Sequence, residues 1–341
     1  MPAGAEPAPA ERVNARELSI TYLLLPLGLI ILIAGADALV RGSVDIAHRF
    51  NISEMAVGLT IVSFGTSLPE MIVSMVANLS GHTDLSVSSL LGSNISNVLL
   101  ILGVAAIIRK LPVTDTTVLT EIPFSLSSVL LVGFLANAAL FTTSTDLTIS
   151  RTDGAILLFF FALFMAYVFK IARSGNQPEE DGVVPPRSLP LSLLLLVVGV
   201  TGLYLGGNWV VDGTTKITSS LGIGETMIGL TVVAIGTSLP ELFASGMAAY
   251  RGKTDLAVGN VIGSNVFNLL WVLGATAVIA DMPFDVVNNT DLAMVVFATT
   301  LVIVAIALGR KGTIERWHGA MFLLVYIAYL TFVISRGLGR A

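Results

Sequence analysis

Two glutamates of this 341-residue chain lie deep inside apolar sequence, and both end the same hexapeptide, GTSLPE. The first copy ends at Glu70 and the second at Glu241. If these apolar runs cross a membrane, each carboxylate costs at least about 2.5–3.5 kcal/mol, so both residues are functional candidates. No Arg or Lys lies at a comparable depth in the sequence. A bound cation is therefore the natural partner of each carboxylate, and the alternative is a pair of uncharged carboxylic acids.

Hydroxyl and amide side chains are spaced so that they can join these carboxylates. Thr66 and Ser67 precede Glu70 by four and three residues, which places all three on one face of a helix. The same spacing recurs at Thr237, Ser238 and Glu241. Two i,i+4 pairs follow on the next apolar runs: Ser93 with Asn97, and Ser264 with Asn268. Oxygen ligands of this kind suit hard ions such as Na⁺ or Ca²⁺. Ser and Thr can also serve only helix packing, which is the alternative for any one of them.

The proline of each hexapeptide predicts a break in its helix. Pro69 has no N–H, and its ring clashes with the carbonyl group of Gly65, four residues earlier. Pro240 stands in the same relation to Gly236. Each break leaves backbone carbonyl groups without helical partners, which is tolerated at membrane depth only where they face protein or a hydrated cavity.

The composition predicts a polytopic helical membrane protein. Hydrophobic residues make up 54% of the chain and charged residues only 12%, against about 25% charged residues in soluble domains. The absence of cysteine excludes disulfides and thiolate–metal sites. Apolar stretches long enough to cross a bilayer predict ten helices. They lie near 21–47, 54–79, 85–108, 118–139, 153–172, 189–218, 225–250, 256–279, 291–309 and 316–335.

An internal duplication relates the two halves of the chain. A shift of 171 residues aligns 58–103 with 229–274 without a gap, and 24 of the 46 positions are identical. The chain is therefore predicted to consist of a tail (1–20), a first five-helix repeat (21–172), a polar linker (173–188) and a second five-helix repeat (189–341). Because five is odd, the second repeat must enter the membrane from the opposite side. We therefore predict an all-α membrane protein with two inverted five-helix repeats, an architecture typical of secondary transporters.

The distribution of basic residues predicts the orientation. Twelve of the eighteen Lys and Arg residues fall on the side of the central linker, and six fall on the other side. This bias favours a cytoplasmic linker with both termini outside. On the first predicted helix, Asp37 is expected to pair with Arg41, four residues later.

The paired motifs G-T-S-x-P-E and G-S-N-x-x-N resemble the repeats of the cation/Ca²⁺ exchanger superfamily, and specifically those of prokaryotic Na⁺/Ca²⁺ exchangers. The resemblance implies an antiporter of the prokaryotic cell (inner) membrane that extrudes Ca²⁺ using the Na⁺ gradient. It also implies that the motif Thr, Ser, Glu and Asn residues named above hold the ions, together with backbone carbonyl groups at Ser63 and Ala234. Some relatives carry Asp where this chain has Asn268, including those that also carry K⁺, so K⁺ transport is not expected here.

Other functions remain open at this level. The nearest alternative is a proton-coupled or other divalent-cation exchanger. A passive channel is less compatible with inverted repeats that meet at one midplane site. An intramembrane hydrolase would need a base beside Ser67 or Ser238, and no histidine lies at that depth. Ca²⁺ and Na⁺ as cargo and the lipid bilayer are the expected partners, with no prosthetic group, nucleic acid or protein partner.

Overall fold

The computed structural model describes residues 15–80, 83–113, 117–138, 147–174, 187–220, 234–310 and 312–338. In this part of the chain the fold is helical, with four strands of two residues each. The helices are α1 (Ala15–Phe50), α2 (Glu54–Thr66), α3 (Leu68–Leu79), α4 (83–108), α5 (117–136), α6 (Arg151–Ser174), α7 (Leu189–Ser220), α8 (Ala234–Thr237), α9 (Leu239–Tyr250), α10 (Thr254–Ile279), α11 (Asn288–Leu308) and α12 (Arg316–Leu338). The strands are β1 (Leu111–Pro112), β2 (Thr148–Ile149), β3 (Met282–Pro283) and β4 (Thr313–Ile314).

Eight helices of the described residues are long and apolar enough to cross a membrane, and the bent pair α2 and α3 makes a ninth span if counted as one. These nine match nine of the ten predicted positions to within several residues. The remaining prediction, 225–250, begins among residues 221–233, which lie outside the described part; its described portion is α8 and α9. The protein is a polytopic integral membrane protein. The count of ten is not reached within the described residues.

The predicted breaks occur in both hexapeptides. Helix α2 ends before Ser67, whose dihedral angles (φ −85°, ψ 4°) leave the helical region, and α3 continues at 46° to α2. Ser238 has nearly the same angles (φ −89°, ψ 4°) between α8 and α9. In each copy the proline is at the start of the second helix, where a missing N–H is tolerated. The sequence Ser-Leu-Pro-Glu therefore places each glutamate in the first turn after a break.

Helices α1 and α7 pack closely along a seam of glycines. A Cβ atom added to Gly35 would lie 2.9 Å from the backbone of Leu203, and one added to Gly206 would lie 2.7 Å from the carbonyl oxygen of Gly28. Contacts along the seam run in opposite chain directions, since Gly28 meets Gly206 while Gly42 meets Ser192. The two helices are therefore antiparallel. Small residues permit this approach of backbones, as is common between membrane helices.

The four short strands form two antiparallel pairs between the halves. Strand β1 pairs with β4, and β2 pairs with β3. Beside the β1–β4 pair, Lys110 forms an ion pair with Glu315 at 2.6 Å. Through that contact Lys110 holds the pKa of the Glu315 carboxyl below its ordinary value, so the pair remains charged at neutral pH. Each strand pair joins a loop of the first half to a loop of the second.

Candidate cation site

The two motif glutamates are buried at the interface between the halves. Glu70 is 2% exposed and Glu241 is 0% exposed. Within the described ranges neither carboxylate belongs to an ion pair. The two groups lie close enough to interact electrostatically. A buried charge is stable only when it is paired or coordinated, so this arrangement needs a cation or a proton.

Hydroxyl groups of the first repeat contact polar groups of the second. The hydroxyl of Ser67 donates to Glu241 Oε1 at 3.1 Å. The hydroxyl of Thr66 donates to the side-chain oxygen of Asn260 at 3.3 Å, and that of Ser63 donates to the Asn260 carbonyl oxygen at 3.0 Å. These hydroxyl groups therefore join polar groups of the two halves in a buried polar centre.

Two of the predicted asparagines also reach across to the other half. Asn97 donates from its Nδ2 atom to Asn265 Oδ1 at 3.0 Å, and Asn268 donates from Nδ2 to the hydroxyl of Ser93 at 3.3 Å. Both asparagines lie in short π-helical segments, Asn97–Ile101 and Phe267–Val272. Single π turns inside α-helices occur often at functional sites, because the extra residue per turn redirects side chains.

Several oxygen atoms of this centre have no hydrogen-bond partner among the described residues. They are both carboxylate oxygens of Glu70, Oε2 of Glu241, the hydroxyls of Ser238 and Ser264, and Oδ1 of Asn97 and Asn268. An unsatisfied buried polar group costs about 1–3 kcal/mol, and native structures contain few of them. These seven oxygens of the motif residues are a ligand set that a hard cation would satisfy.

A cavity of about 210 Å³ adjoins the two hexapeptides. Its walls are Pro69, Ile72, Val73, Tyr204, Gly207, Asn208, Val211, Gly236, Thr237 and Pro240. Residues 171 positions from these wall residues mark the corresponding place on the opposite side. There Thr66 and Val40, the counterparts of Thr237 and Val211, are each 1% exposed. Val73 is 46% exposed, and its counterpart Ala244 is 1% exposed. At these compared positions of the described residues, the side chains line a cavity or are exposed beside Thr237 and are buried beside Thr66. We call the first approach open and the second closed.

The cavity on the open side lies next to site residues whose side-chain oxygens lack a described hydrogen-bond partner. Thr237 and Pro69 line the cavity, and the residues that follow them, Ser238 and Glu70, both have side-chain oxygens without a described partner. On the closed side the equivalent contact, Ser67 with Glu241, is made. The two copies of the motif therefore differ in their hydrogen bonds: Ser67 bonds Glu241, whereas the equivalent groups, Ser238 and Glu70, do not bond each other.

The two predicted backbone carbonyl positions, Ser63 and Ala234, differ in what the structure describes. The carbonyl oxygen of Ser63 already accepts the N–H of Ser67 at 2.9 Å and the hydroxyl of Thr66 at 3.4 Å. Ala234 is the first residue of α8, and its side chain lies outside the described part. No group of three or more His, Cys, Asp or Glu residues that could hold a metal exists among the described residues. Two carboxylates with neutral oxygens are what this centre offers.

Sequence reasoning missed three asparagines of the centre. Asn94 is fully buried, and neither its Oδ1 nor its Nδ2 atom has a described partner. Asn265 accepts the hydrogen bond from Asn97, and Asn260 connects Thr66 to the hydroxyl of Ser245, to which it donates at 2.9 Å. Asn94 and Asn265 are aligned by the duplication, so the signal for those two was present in the sequence.

The sodium/calcium exchanger protein family model matches residues 20–170 and 191–335. The putative antiporter CaxA of Alkalimonas amylolytica is 36% identical over 326 residues, which cover 93% of this chain and 99% of that protein. The sodium/calcium exchanger MaX1 of Methanosarcina acetivorans is 30% identical, covering 92% and 98%. The inner membrane protein YrbG of Escherichia coli (strain K12) is 35% identical, covering 91% and 95%.

Solved structures of the sodium-calcium exchanger NCX_Mj have the same fold. The structure soaked with 2.5 mM Na⁺ and 10 mM Sr²⁺ superposes with a TM-score of 0.77 and 33% identity, covering 92% of this chain and 99% of that chain. The structure soaked without Na⁺ and Ca²⁺ superposes with a TM-score of 0.76. The likeness includes both halves of the chain.

Proposed function

The chain belongs to the sodium/calcium exchanger protein family, and from this premise we propose that it exchanges Na⁺ for Ca²⁺ across the membrane at one shared site. Its family consists of transporters, and cation/Ca²⁺ antiport is the activity that the relatives support. The finer assignment of Na⁺ against Ca²⁺ rests on the chemistry of the site. The observation that carries it is the cluster of unpaired, buried oxygens around Glu70 and Glu241.

Two carboxylates suit both loads. Together they balance the charge of one Ca²⁺, and several Na⁺ ions can share the same oxygens, so that the two cations compete. We assign the ligands to the side chains of Thr66, Ser67, Glu70, Ser93, Asn97, Thr237, Ser238, Glu241, Ser264 and Asn268, with the carbonyl groups of Ser63 and Ala234. The neutral amide of Asn268 contributes an oxygen without adding a third negative charge. This charge count favours Ca²⁺ and Na⁺ without K⁺.

The fold contains contacts that support an inverted repeat of five plus five spans. Gly28, Gly35 and Gly42 on α1 correspond, 171 residues later, to Gly199, Gly206 and Gly213 on α7. Equivalent helices of inverted repeats run antiparallel, as α1 and α7 do. The strand pairs agree with this relation. Strand β1 corresponds to β3 by the 171-residue shift, and each of the two pairs with a strand of the opposite half, β1 with β4 and β3 with β2. The repeats assigned are 21–172 and 189–341, with 173–188 as the linker.

The cavity on the open side supports alternating access. Inverted repeats give two approaches to a central site, and rocking of one bundle against the other opens them in turn. In this structure the approach beside Thr237 is open, and its counterpart beside Thr66 is closed. With the linker cytoplasmic and both termini outside, the open approach faces outward. A relative named as an inner membrane protein supports the cell membrane as the location.

The proposal is tested by ⁴⁵Ca²⁺ uptake into proteoliposomes, with Na⁺, K⁺ and H⁺ gradients imposed one at a time. Outward Na⁺ gradients should drive uptake, and reversing the Na⁺ gradient should release the ion. K⁺ gradients at clamped voltage should have no effect. Uptake driven by a proton gradient and indifferent to Na⁺ would assign the chain to the proton-coupled alternative. Uptake that persists without any counter-ion would indicate a channel.

A further inference from the structure

Asn94 is a buried polar residue whose side chain makes no hydrogen bond within the described part of the chain. Its side chain is fully buried in α4, and both polar atoms lack a partner among the described residues. Leaving a buried amide unpaired costs about 1–3 kcal/mol for each group, whereas Leu at this position would cost nothing of the kind. A polar group that is orphaned in one conformation is explained if it has a partner in another.

The partner follows from the duplication. Asn94 corresponds to Asn265, which accepts a hydrogen bond from Asn97 at 3.0 Å. Asn97 in turn corresponds to Asn268. The equivalent bond, from Asn268 Nδ2 to Asn94 Oδ1, is not made in this structure; Asn268 donates instead to the hydroxyl of Ser93 at 3.3 Å. Of the two bonds expected from symmetry, one is present.

The hydroxyls next to these asparagines show the same asymmetry in reverse. Ser93 accepts from Asn268, but its counterpart Ser264, which Asn97 would reach by the same geometry, has no described partner. Each of the two site asparagines therefore has two acceptors in the opposite repeat, an asparagine and the serine before it. In this structure Asn97 donates to an asparagine, Asn265, whereas Asn268 donates to a serine, Ser93.

We propose that Asn94 and Asn265 are positioning residues that hold the site asparagines in alternation, and that the choice of acceptor reverses between the two access states. In the other state Asn268 donates to Asn94, and Asn97 moves to Ser264. The reversal also exchanges the free hydroxyl. Ser264 is available to a cation in the present state, and Ser93 is available in the other. This inference rests on the proposed function, because it requires two access states.

The test uses purified protein in detergent and two single-cysteine reporters in the Cys-free chain. Val211→Cys lies in the open cavity, and Val40→Cys is its buried counterpart on the closed side. The rate at which a hydrophilic thiol reagent labels each reporter measures the population of each state. The readout needs neither transport nor a known orientation in the membrane.

Asn94→Leu removes a bond of the other state only, so labelling of Val40→Cys should fall. Asn265→Leu removes a bond of the present state, so Val40→Cys should label faster and Val211→Cys more slowly. In each single variant the ratio of the two labelling rates should change about 3- to 10-fold, the effect of one buried hydrogen bond on the equilibrium. The double variant should return near the wild-type ratio, because the two losses oppose each other.

Thermal unfolding keeps the inference testable if Asn265→Leu does not fold. Asn94→Leu should unfold at the wild-type temperature or above it, and a lower temperature would indicate an ordinary structural role. Shifts of the two single variants in the same direction, or no shift in either, would overturn the inference. If the wild type itself bound no Ca²⁺ that Na⁺ displaces, the proposed function would fail instead, and the labelling result would stand apart.

Discussion

Glu70 and Glu241 end identical hexapeptides but have different surroundings. Glu241 accepts a hydrogen bond from Ser67 across the interface, whereas both oxygens of Glu70 lack a described partner. The wall of the cavity includes Pro69, next to Glu70. Because Pro240, next to Glu241, also lines the wall, a cation arriving through the cavity would reach both carboxylates, and Glu70 offers more oxygens without a described partner. Both carboxylates are then needed for Ca²⁺, although only Glu70 has two oxygens without a described partner and Glu241 has one.

Replacing either glutamate by glutamine should reduce Ca²⁺ exchange at least about 100-fold. Glutamine keeps the size of the side chain but removes half of the charge that offsets Ca²⁺ dehydration, and buried charge differences of this kind exceed about 3 kcal/mol. Exchange is measured as Na⁺-dependent ⁴⁵Ca²⁺ flux. The matched control is Glu315→Gln, the same change at a carboxylate paired with Lys110 outside the membrane spans. Near-normal flux in Glu70→Gln or Glu241→Gln would remove that residue from the site.

At the residue scale, the sequence predicts which side chains meet but not how each is bonded. The repeated hexapeptide and the Ser–Asn pairs identify ten candidate side chains. Among them, Ser67 bonds Glu241 and Asn268 bonds Ser93 between the halves. Which oxygens stay free depends on the relative shift of the two repeats, and no local pattern encodes that shift. For the same reason the sequence shows Asn94 and Asn265 only as equivalent positions of a motif. The structure shows that Asn265 is hydrogen-bonded and that Asn94 has no described partner.

At the element scale, the helix breaks were predictable and the packing was not. Proline has the same effect on any helix, so Ser67 and Ser238 end theirs as expected. The seam between α1 and α7 depends on two helices that lie about 170 residues apart in sequence. Its signal was nevertheless present, because Gly28, Gly35 and Gly42 recur every seven residues and again in the second half. The pairing of β1 with β4 had no sequence signal, since each strand is only two residues long.

Gly206→Ala should destabilise the protein, whereas Gly207→Ala should not. A Cβ atom at residue 206 would lie 2.7 Å from the carbonyl oxygen of Gly28 and 2.8 Å from the amide nitrogen of Leu32, so backbone must move. At residue 207 the nearest atom is 3.9 Å away, on Pro240. Overpacking of this kind costs about 1–3 kcal/mol. Thermal unfolding in detergent compares the two variants. Equal unfolding temperatures would mean that α1 and α7 do not pack along this seam.

The ion pairs of α1 distinguish the closed side from the open side. Asp37 pairs with Arg41 at 2.7 Å, as predicted, and also with Arg251 at the end of α9. Its counterpart is Asn208 on the wall of the open cavity, and the counterpart of Arg251 is Ser80. Neither charge exists on the open side. The contact between Asp37 and Arg251 therefore ties α1 to α9 only where the approach is closed.

Asp37→Asn should raise labelling of the Val40→Cys reporter about 2- to 5-fold, and high salt should do the same in the wild type. A partly exposed ion pair contributes about 1 kcal/mol or less and is screened by salt. Asp45→Asn is the control, because Asp45 on the same helix pairs at 3.0 Å with Arg187, which precedes α7. That pair stays within the α1–α7 unit. Equal effects of the two substitutions would show that Asp37 has no special part in closure.

At the scale of the whole molecule, the proposed inverted arrangement of the two repeats has the most consequences. It requires the central linker and the C-terminus to lie on opposite sides of the membrane. Cysteines introduced at Gly182 and Gly339, both outside the described residues, should be labelled from opposite faces of intact cells. The Cys-free background makes each signal specific. Labelling of both from one face would contradict the count of five plus five spans.

The measurement that tests the central claim most directly is equilibrium binding of ⁴⁵Ca²⁺ to the purified protein at increasing Na⁺ concentrations. If one site serves both cations, Na⁺ should raise the apparent Kd for Ca²⁺ without lowering the binding capacity. If several Na⁺ ions share the oxygens that hold one Ca²⁺, as proposed, the Kd should rise more steeply than in proportion to Na⁺. K⁺ at equal ionic strength should leave it unchanged. Ca²⁺ binding that is indifferent to Na⁺, or a capacity that falls while the Kd stays constant, would contradict a shared site at Glu70 and Glu241.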